Sequence, residues 1–164
     1  MINVTWGDAQ TYVTWLSRQT GARYRLLSES EWEYAARAGS QAFFSFTNNE
    51  IPSDFAWFAD DSDGHPHAVG GKKSNAFGLN DMHGNVAEWV LDCASNDYSS
   101  KPADGSPWLK DGCRRRVQRG GAYLHRIRML RSAQRDFLAD DQKNNYAGFR
   151  VAREFGDTKS SNSN

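Results

Sequence analysis

The chain has 164 residues, 20 lysines and arginines against 20 aspartates and glutamates, and a hydrophobic fraction of 38%. That length supports one domain with a proper core, and a formal net charge of zero removes the basic excess that draws proteins to nucleic acids or anionic membranes. No run approaches the roughly 18 apolar residues of a membrane span, and residues 1 to 20 lack the layout of a signal peptide, so neither a nucleic-acid partner nor a membrane span is expected.

Helical spacing of Ala9, Tyr12, Val13 and Leu16 predicts a first helix between Thr5 and Gly21, with Asp8 favouring its positive end and Gly21 closing it. After Tyr24 to Leu27 a second helix is announced by a capping box, Ser28 with Glu31. Leu27 and Trp32 hold the staple positions, Trp32, Ala35 and Ala36 face the core, and Gly39 follows the last turn. Periodicity then fades into a loop-rich body rich in Gly, Asn, Asp, Ser and Pro. Short strands are expected at Gln41 to Phe46, Asn85 to Leu91, Arg116 to Tyr123 and Gly148 to Arg153. From Gly156 the chain has nothing to bury and reads as a disordered tail, which gives a domain over 1–155 and a tail over 156–164. No internal repeat or interior linker is visible.

Charge is divided unevenly: residues 1–109 carry 7 basic and 14 acidic side chains, residues 110–153 carry 12 and 4. Pairing of the two parts within one fold explains this, as does a basic groove for an anionic ligand. The late cations are mostly arginines, whose planar fork suits carboxylate pairing. Cys93 and Cys113 bracket a polar loop, Ala94 to Gly112, and fit no zinc pattern. Either they form a disulfide worth about 3 kcal/mol in an extracytoplasmic, oxidising compartment, or they are two buried thiols of a cytoplasmic protein. Arg114, Arg115 and Arg116 would lower the pKa of a free Cys113 thiol.

The segment GLNDMHGNVAEW, Gly78 to Trp89, has the densest chemistry. Asp81 and Glu88 flank a turn at Gly84, and carboxylates joined by turned backbone carbonyls suit a hard cation such as calcium, although acidic residues beside a Gly-Asn turn are often only a turn. His65 and His67 lie in an HPH whose proline holds the backbone extended, and a solvated loop is the plainer reading because no third metal ligand is in evidence. His83 and His125, each alone, read as surface or hydrogen-bonded histidines. Nucleotide-binding glycine fingerprints and a serine nucleophile elbow are both absent.

Four separated motifs, NVTWGDAQTYVTWLSRQTGARYRLLSESEWEYAARAG, NAFGLNDMHGNVAEWVLD, RVQRGGAYLHRIRMLRSAQRDF and GFRVA, resemble in order and spacing the formylglycine-generating-enzyme, or sulfatase-modifying-factor, family. The resemblance spans Ile2 to Glu154. It implies an α+β, C-type-lectin-like fold with little regular secondary structure, and a further N-terminal stretch that family members carry and this chain lacks. It also implies a calcium site at Asp81, Gly84, Val86 and Glu88, and a loop-closing role for Cys93 and Cys113 of the kind seen in bacterial relatives. Enzymes of the family oxidise a protein cysteine to formylglycine with copper held by two cysteines after RGG. Here that segment contains no cysteine: His125 stands at the first position and the second falls in an apparent deletion, while a serine and a tryptophan of the enzymes are Ala122 and Ala87. Thiolates select Cu(I), so copper is not expected.

Other branches are iron-dependent sulfoxide synthases, pyoverdine-type maturation enzymes and variable ligand-binding proteins whose binding face lies between RGG and GFR. The expectation is therefore a binding scaffold for a protein or small molecule, without catalytic residues, presenting Leu124, His125, Arg126, Arg128, Asp136 and Asn145 between Leu124 and Ala147. The alternatives are a formylglycine-generating oxidase and a sensor domain of a larger chain such as a kinase fusion. Arg119, Arg131 and Arg150 are assigned to ion pairs within the scaffold.

Overall fold

Two helices begin where their capping chemistry places them. The computed structural model describes residues 1–47, 49–99 and 101–155; the expected tail lies outside the described residues. Helix α1, Trp6–Thr20, starts from Thr5, whose hydroxyl accepts from the Asp8 amide at 2.9 Å while the Asp8 carboxylate accepts from the Thr5 amide at 3.0 Å. It ends on Gly21 at φ 69°, a left-handed turn that glycine makes without a Cβ clash. Strand β1, Tyr24–Arg25, leads into α2, Glu29–Arg37, whose capping box of Ser28 and Glu31 is formed as expected. Its left-handed cap is Ala38, with Gly39 following.

The remaining strands are β2 (Ala87–Cys93), β3 (Arg115–Arg119), β4 (Arg135–Ala139), β5 (Ala147–Phe149) and β6 (Ala152–Arg153). They form a four-stranded sheet in the order β4-β3-β2-β5, with β5 parallel to β2, and a two-stranded antiparallel sheet of β1 and β6. This is an α+β fold. Trp89, Ala9, Val13 and Leu26 make one buried cluster under α1, and Trp32, Ala36, Met82, Val90 and Val117 make a second under α2. A third cluster, Ala56, Phe58 and Leu130, joins the loop body to the segment after RGG. Among the described residues no helix is long and apolar enough to cross a membrane.

Four sequence expectations need correction. Gln41 to Phe46 is not a strand: Phe44 and Phe46 stack on each other at 4.8 Å and against the edge of His83, so aromatic packing replaces ladder pairing. The strand expected through Tyr123 stops at Arg119, because Gly120 and Gly121 turn at φ 89° and 68°. The last strand is divided at Arg150 and Val151 between two sheets. Finally, Cys93 and Cys113 are joined, so the free-thiol reading, with its reactive Cys113, is overturned.

The turn at Gly84 is where the fold is tightest. At φ 79° a Cβ there would lie 2.1 Å from the Trp57 carbonyl oxygen, so only glycine lets the loop body close on β2. Asn85 beside it locks the approach, its side chain accepting from the His67 amide and donating to the His67 carbonyl. His83 donates from Nδ1 to the Leu130 carbonyl at 2.7 Å and accepts at Nε2 from the Ser45 amide. Burial there lowers its pKa to about 4, keeping the ring neutral.

Candidate functional site

The charge division resolves first into a buried cluster under α2. Glu29, 2% exposed, accepts from Arg119 and Arg135 and is paired with Lys101, which reaches it from the long loop. Arg119 also pairs with Glu33 and donates to the carbonyls of Ser132 and Ala133. Burial acts to raise the Glu29 pKa, yet hydrogen bonds from Arg135 and Lys101 and the charge of Arg119 hold it below its ordinary value. The expected scaffold role of Arg119 is met, and so is that of Arg150. Arg131 departs from it: exposed, it donates to the Arg128 carbonyl and the Gln134 side chain, lies 5.9 Å from the exposed Phe43 ring, and has no ion pair among the described residues. Its place after a 3-10 turn, Ile127–Leu130, turns it away from the acidic half.

The Asp81–Glu88 turn opens on a cleft of about 360 Å3, lined by Asp81, Val86, Glu88 and Arg150 among others. Gly84 lies outside this lining, its backbone pressed against Trp57. Asp81 Oδ2 accepts from the Gly70 amide at 2.7 Å, whereas its Oδ1 is buried without a protein partner among the described residues. Glu88 is more committed: Arg150 binds both of its oxygens, at 2.6 and 2.7 Å, and the Trp32 indole N–H donates to one of them at 2.6 Å. Arg150 also donates to the Asn80 and Asp81 carbonyls. The orphaned Asp81 oxygen fits a hard cation, since a buried carboxylate oxygen demands a donor or a metal. Glu88 would have to share its charge with Arg150.

The expected binding face is assembled from the Leu124–Leu130 segment, β4 and the turn before β5. Leu124, Arg126, Arg128, Asp136 and Asn145 are exposed and His125 is half-buried. His125 and Asp136 meet in one cavity together with Ala87, Gln118, Met129 and Gln134. Leu124, Arg126, Arg128 and Asn145 do not line that cavity. The His125 ring lies 5.8 Å from that of Tyr146, the residue after Asn145. His125 Nδ1 accepts from the Ala122 amide at 3.1 Å, which leaves its proton on Nε2. Burial lowers the His125 pKa despite the Asp136 charge, and burial together with that charge raises the pKa of Tyr146.

Sequence reasoning missed Gln118. It is 1% exposed, its Nε2 and Oε1 both lack a protein partner among the described residues, and it pairs in register with Asp136 across β3 and β4. The signal was an amide placed between Val117 and Arg119 in a strand-like run, without an element to show where it pointed. One other expectation met a different environment. His67 stacks on Trp57 at 3.7 Å with Lys72 on that ring, so the HPH is partly packed rather than solvated. Among the described residues no group of three or more His, Cys, Asp or Glu side chains is placed to hold a metal.

Copper does not fit the donors after RGG. Both cysteines of the chain are used in the Cys93–Cys113 disulfide, so neither presents a thiolate.

Comparison with known proteins agrees with the motifs. A family model described as "Sulfatase-modifying factor enzyme 1-like domain" matches residues 1–155. Serine/threonine-protein kinase Pkn1 of Chlamydia trachomatis is 35% identical over 156 residues, which is 94% of this chain and 24% of the relative. Formylglycine-generating enzyme of Streptomyces coelicolor is 29% identical over 170 residues, 94% of this chain and 52% of the enzyme. Among solved structures, PvdO from Pseudomonas aeruginosa superposes with a TM-score of 0.89 at 41% identity, covering 94% of this chain and 61% of that one. Treponema denticola variable protein 1 reaches 0.82 at 24% identity over 92% and 69%, a likeness in fold alone. The chain thus spans about half, or as little as a quarter, of the length of these curated relatives.

Proposed function

Because the chain belongs to the family of the sulfatase-modifying factor enzyme 1-like domain, we propose that it is a binding scaffold of that family, with calcium as a structural ion and a ligand or protein partner on the 124–147 face. The observation that carries the reading is the location of sulfur. No cysteine follows RGG, and the two that exist close the Ala94–Gly112 loop, so this chain does not supply the thiolate pair that copper-dependent formylglycine formation requires.

Calcium would be held by Asp81, the Gly84 and Val86 carbonyls and Glu88, with the unpartnered Asp81 oxygen as its main anionic contact. A hard cation there would tie the turn before β2 to β2 itself and stabilise the frame that presents the face. The disulfide supports an extracytoplasmic, oxidising compartment. Two different relatives support two alternative readings: a kinase four times longer than this domain favours a sensor module within a larger chain, whereas the formylglycine-generating enzymes favour an oxidase.

The deciding experiment is metal content of protein purified without chelator, followed by calcium and Cu(I) titrations read as melting temperature, since a ligand that binds only the folded state must raise it. Stoichiometric calcium that raises the melting temperature, with no such response to Cu(I), is expected. Tight stoichiometric Cu(I) would overturn the scaffold reading in favour of the oxidase, to be followed by oxidation of a cysteine-containing peptide. Asp81→Asn is expected to abolish the calcium response while leaving the calcium-free melting temperature nearly unchanged.

A further inference from the structure

We propose that Gln118 selects the ligand of this face, and that the group it selects is a hydroxyl carried on a neutral or cationic small molecule. The inference rests on the reading of residues 124–147 as a binding surface and names the chemistry that surface takes.

Gln118 is the most deeply placed polar group of the cavity, 1% exposed, and neither its amide nitrogen nor its carbonyl oxygen has a protein partner among the described residues. A buried carboxamide in that condition is less stable than leucine of similar volume, so its presence calls for a partner from outside. Its neighbours direct it to the binding face. Gln118 and Asp136 are opposite one another on β3 and β4, which puts their side chains on the same side of the sheet, and both line the cavity with His125.

The size of the cavity narrows the chemistry. Its enclosed space is about 10 Å3, room for a group the size of one water molecule. A carboxamide offers a donor and an acceptor together, and a hydroxyl is the water-sized organic group that answers both. A carboxylate has no proton for Oε1 and meets the negative charge of Asp136, an ammonium accepts nothing from Nε2, and a methyl leaves both atoms unpaired. His125, its proton on Nε2, adds a neutral donor to the wall, and the exposed Asp136 carboxylate adds an acceptor at the mouth. A hydroxyl flanked by further donors, as in an amino alcohol or a polyol, therefore matches the lining, and an anionic ligand does not.

The test uses the full chain labelled with 15N, with the Gln118 side-chain amide assigned by its loss in Gln118→Leu. Ethanolamine and glycerol are titrated to high millimolar concentration beside ethylamine and acetate, which lack a hydroxyl. Saturable shifts of the Gln118 amide with ethanolamine and glycerol are expected, with an affinity, read from the backbone amides of His125 and Asp136, that is weakened about tenfold or more in Gln118→Leu, and with that variant melting at or above the parent temperature. Ethylamine or acetate shifting residues of the 124–147 face while Gln118 stays still would overturn the hydroxyl assignment and leave the binding surface intact. A Gln118 amide that contacts one ordered water and responds to none of the four probes would overturn the assignment, and a face that also responds to none would count against the binding surface itself. A marked fall in the melting temperature of Gln118→Leu would show that the amide is bonded within the protein, which likewise overturns the proposal.

Discussion

Two polar regions lie on neighbouring strands and are treated in opposite ways. Around Glu29 the carboxylate is answered by three cations drawn from β3, β4 and the long loop. One residue away from Arg119, Gln118 is as deeply buried and has no answering group among the described residues. Arg119 and Arg135 are themselves opposite each other in register, next to the Gln118–Asp136 pair. Strand alternation sends one pair toward α2 and the other toward the binding face. Polar groups that satisfy each other build the frame, and those left over mark where the frame meets something else.

Breaking the satisfied side has the largest expected effect. Glu29→Gln leaves Arg119, Arg135 and Lys101 with a neutral partner in a buried setting and is expected to cost about 3–5 kcal/mol in chemical denaturation. The pH profile sharpens the point. Since the Glu29 pKa is lowered in the folded protein from an ordinary value of 4.5, its stabilisation is complete above that value and is lost as pH falls through the folded one. The parent should therefore lose stability in acid more steeply than Glu29→Gln, and parallel acid profiles would remove Glu29 from the centre of the frame.

The second effect concerns the loop that delivers Lys101 to that cluster. Its ends are tied by Cys93 and Cys113, 20 residues apart. Reduction, or the double substitution Cys93→Ser with Cys113→Ser, is expected to cost about 3 kcal/mol, measured as the shift in denaturation midpoint with and without reductant. An unchanged midpoint would mean that packing of the loop against Glu29 and Asp92 holds it without the crosslink.

The smallest effect separates two arginines of the same segment. Arg131→Ala should change stability by less than about 0.5 kcal/mol, because the side chain is exposed and unpaired with any acid among the described residues. Arg119→Ala should resemble Glu29→Gln, since it leaves Glu29 and Glu33 short of a buried partner. Equal losses for the two arginines would erase the distinction between frame and face.

Much of this architecture was legible along the chain. Both helices were legible from local signals, the first from its apolar spacing with Asp8 at its start and Gly21 at its end, the second from the capping box of Ser28 and Glu31, which need nothing distant. The Asp81–Glu88 turn was legible for the same reason, and Gly84 marks the close approach that only glycine permits. Strand limits were poorly legible. β1, β5 and β6 are two or three residues long, too short for alternation to register, and β4 is defined by its pairing with β3 rather than by its own pattern. Arg131 was assigned by composition to a role that a 3-10 turn denies it.

The sequence by itself determined the family, the α+β class, the helix starts and the absence of thiols after RGG, all properties carried by local residues and their order. The tertiary structure decided which arginine answers which acid, that Cys93 meets Cys113, that Glu88 is already bound by Arg150, and that Gln118 is buried without a partner among the described residues. The physical reason is one of range. A cap or a turn is settled by neighbours a few residues apart, whereas a buried charge acquires its meaning from groups 62 to 106 residues distant that only the folded chain brings within hydrogen-bond reach.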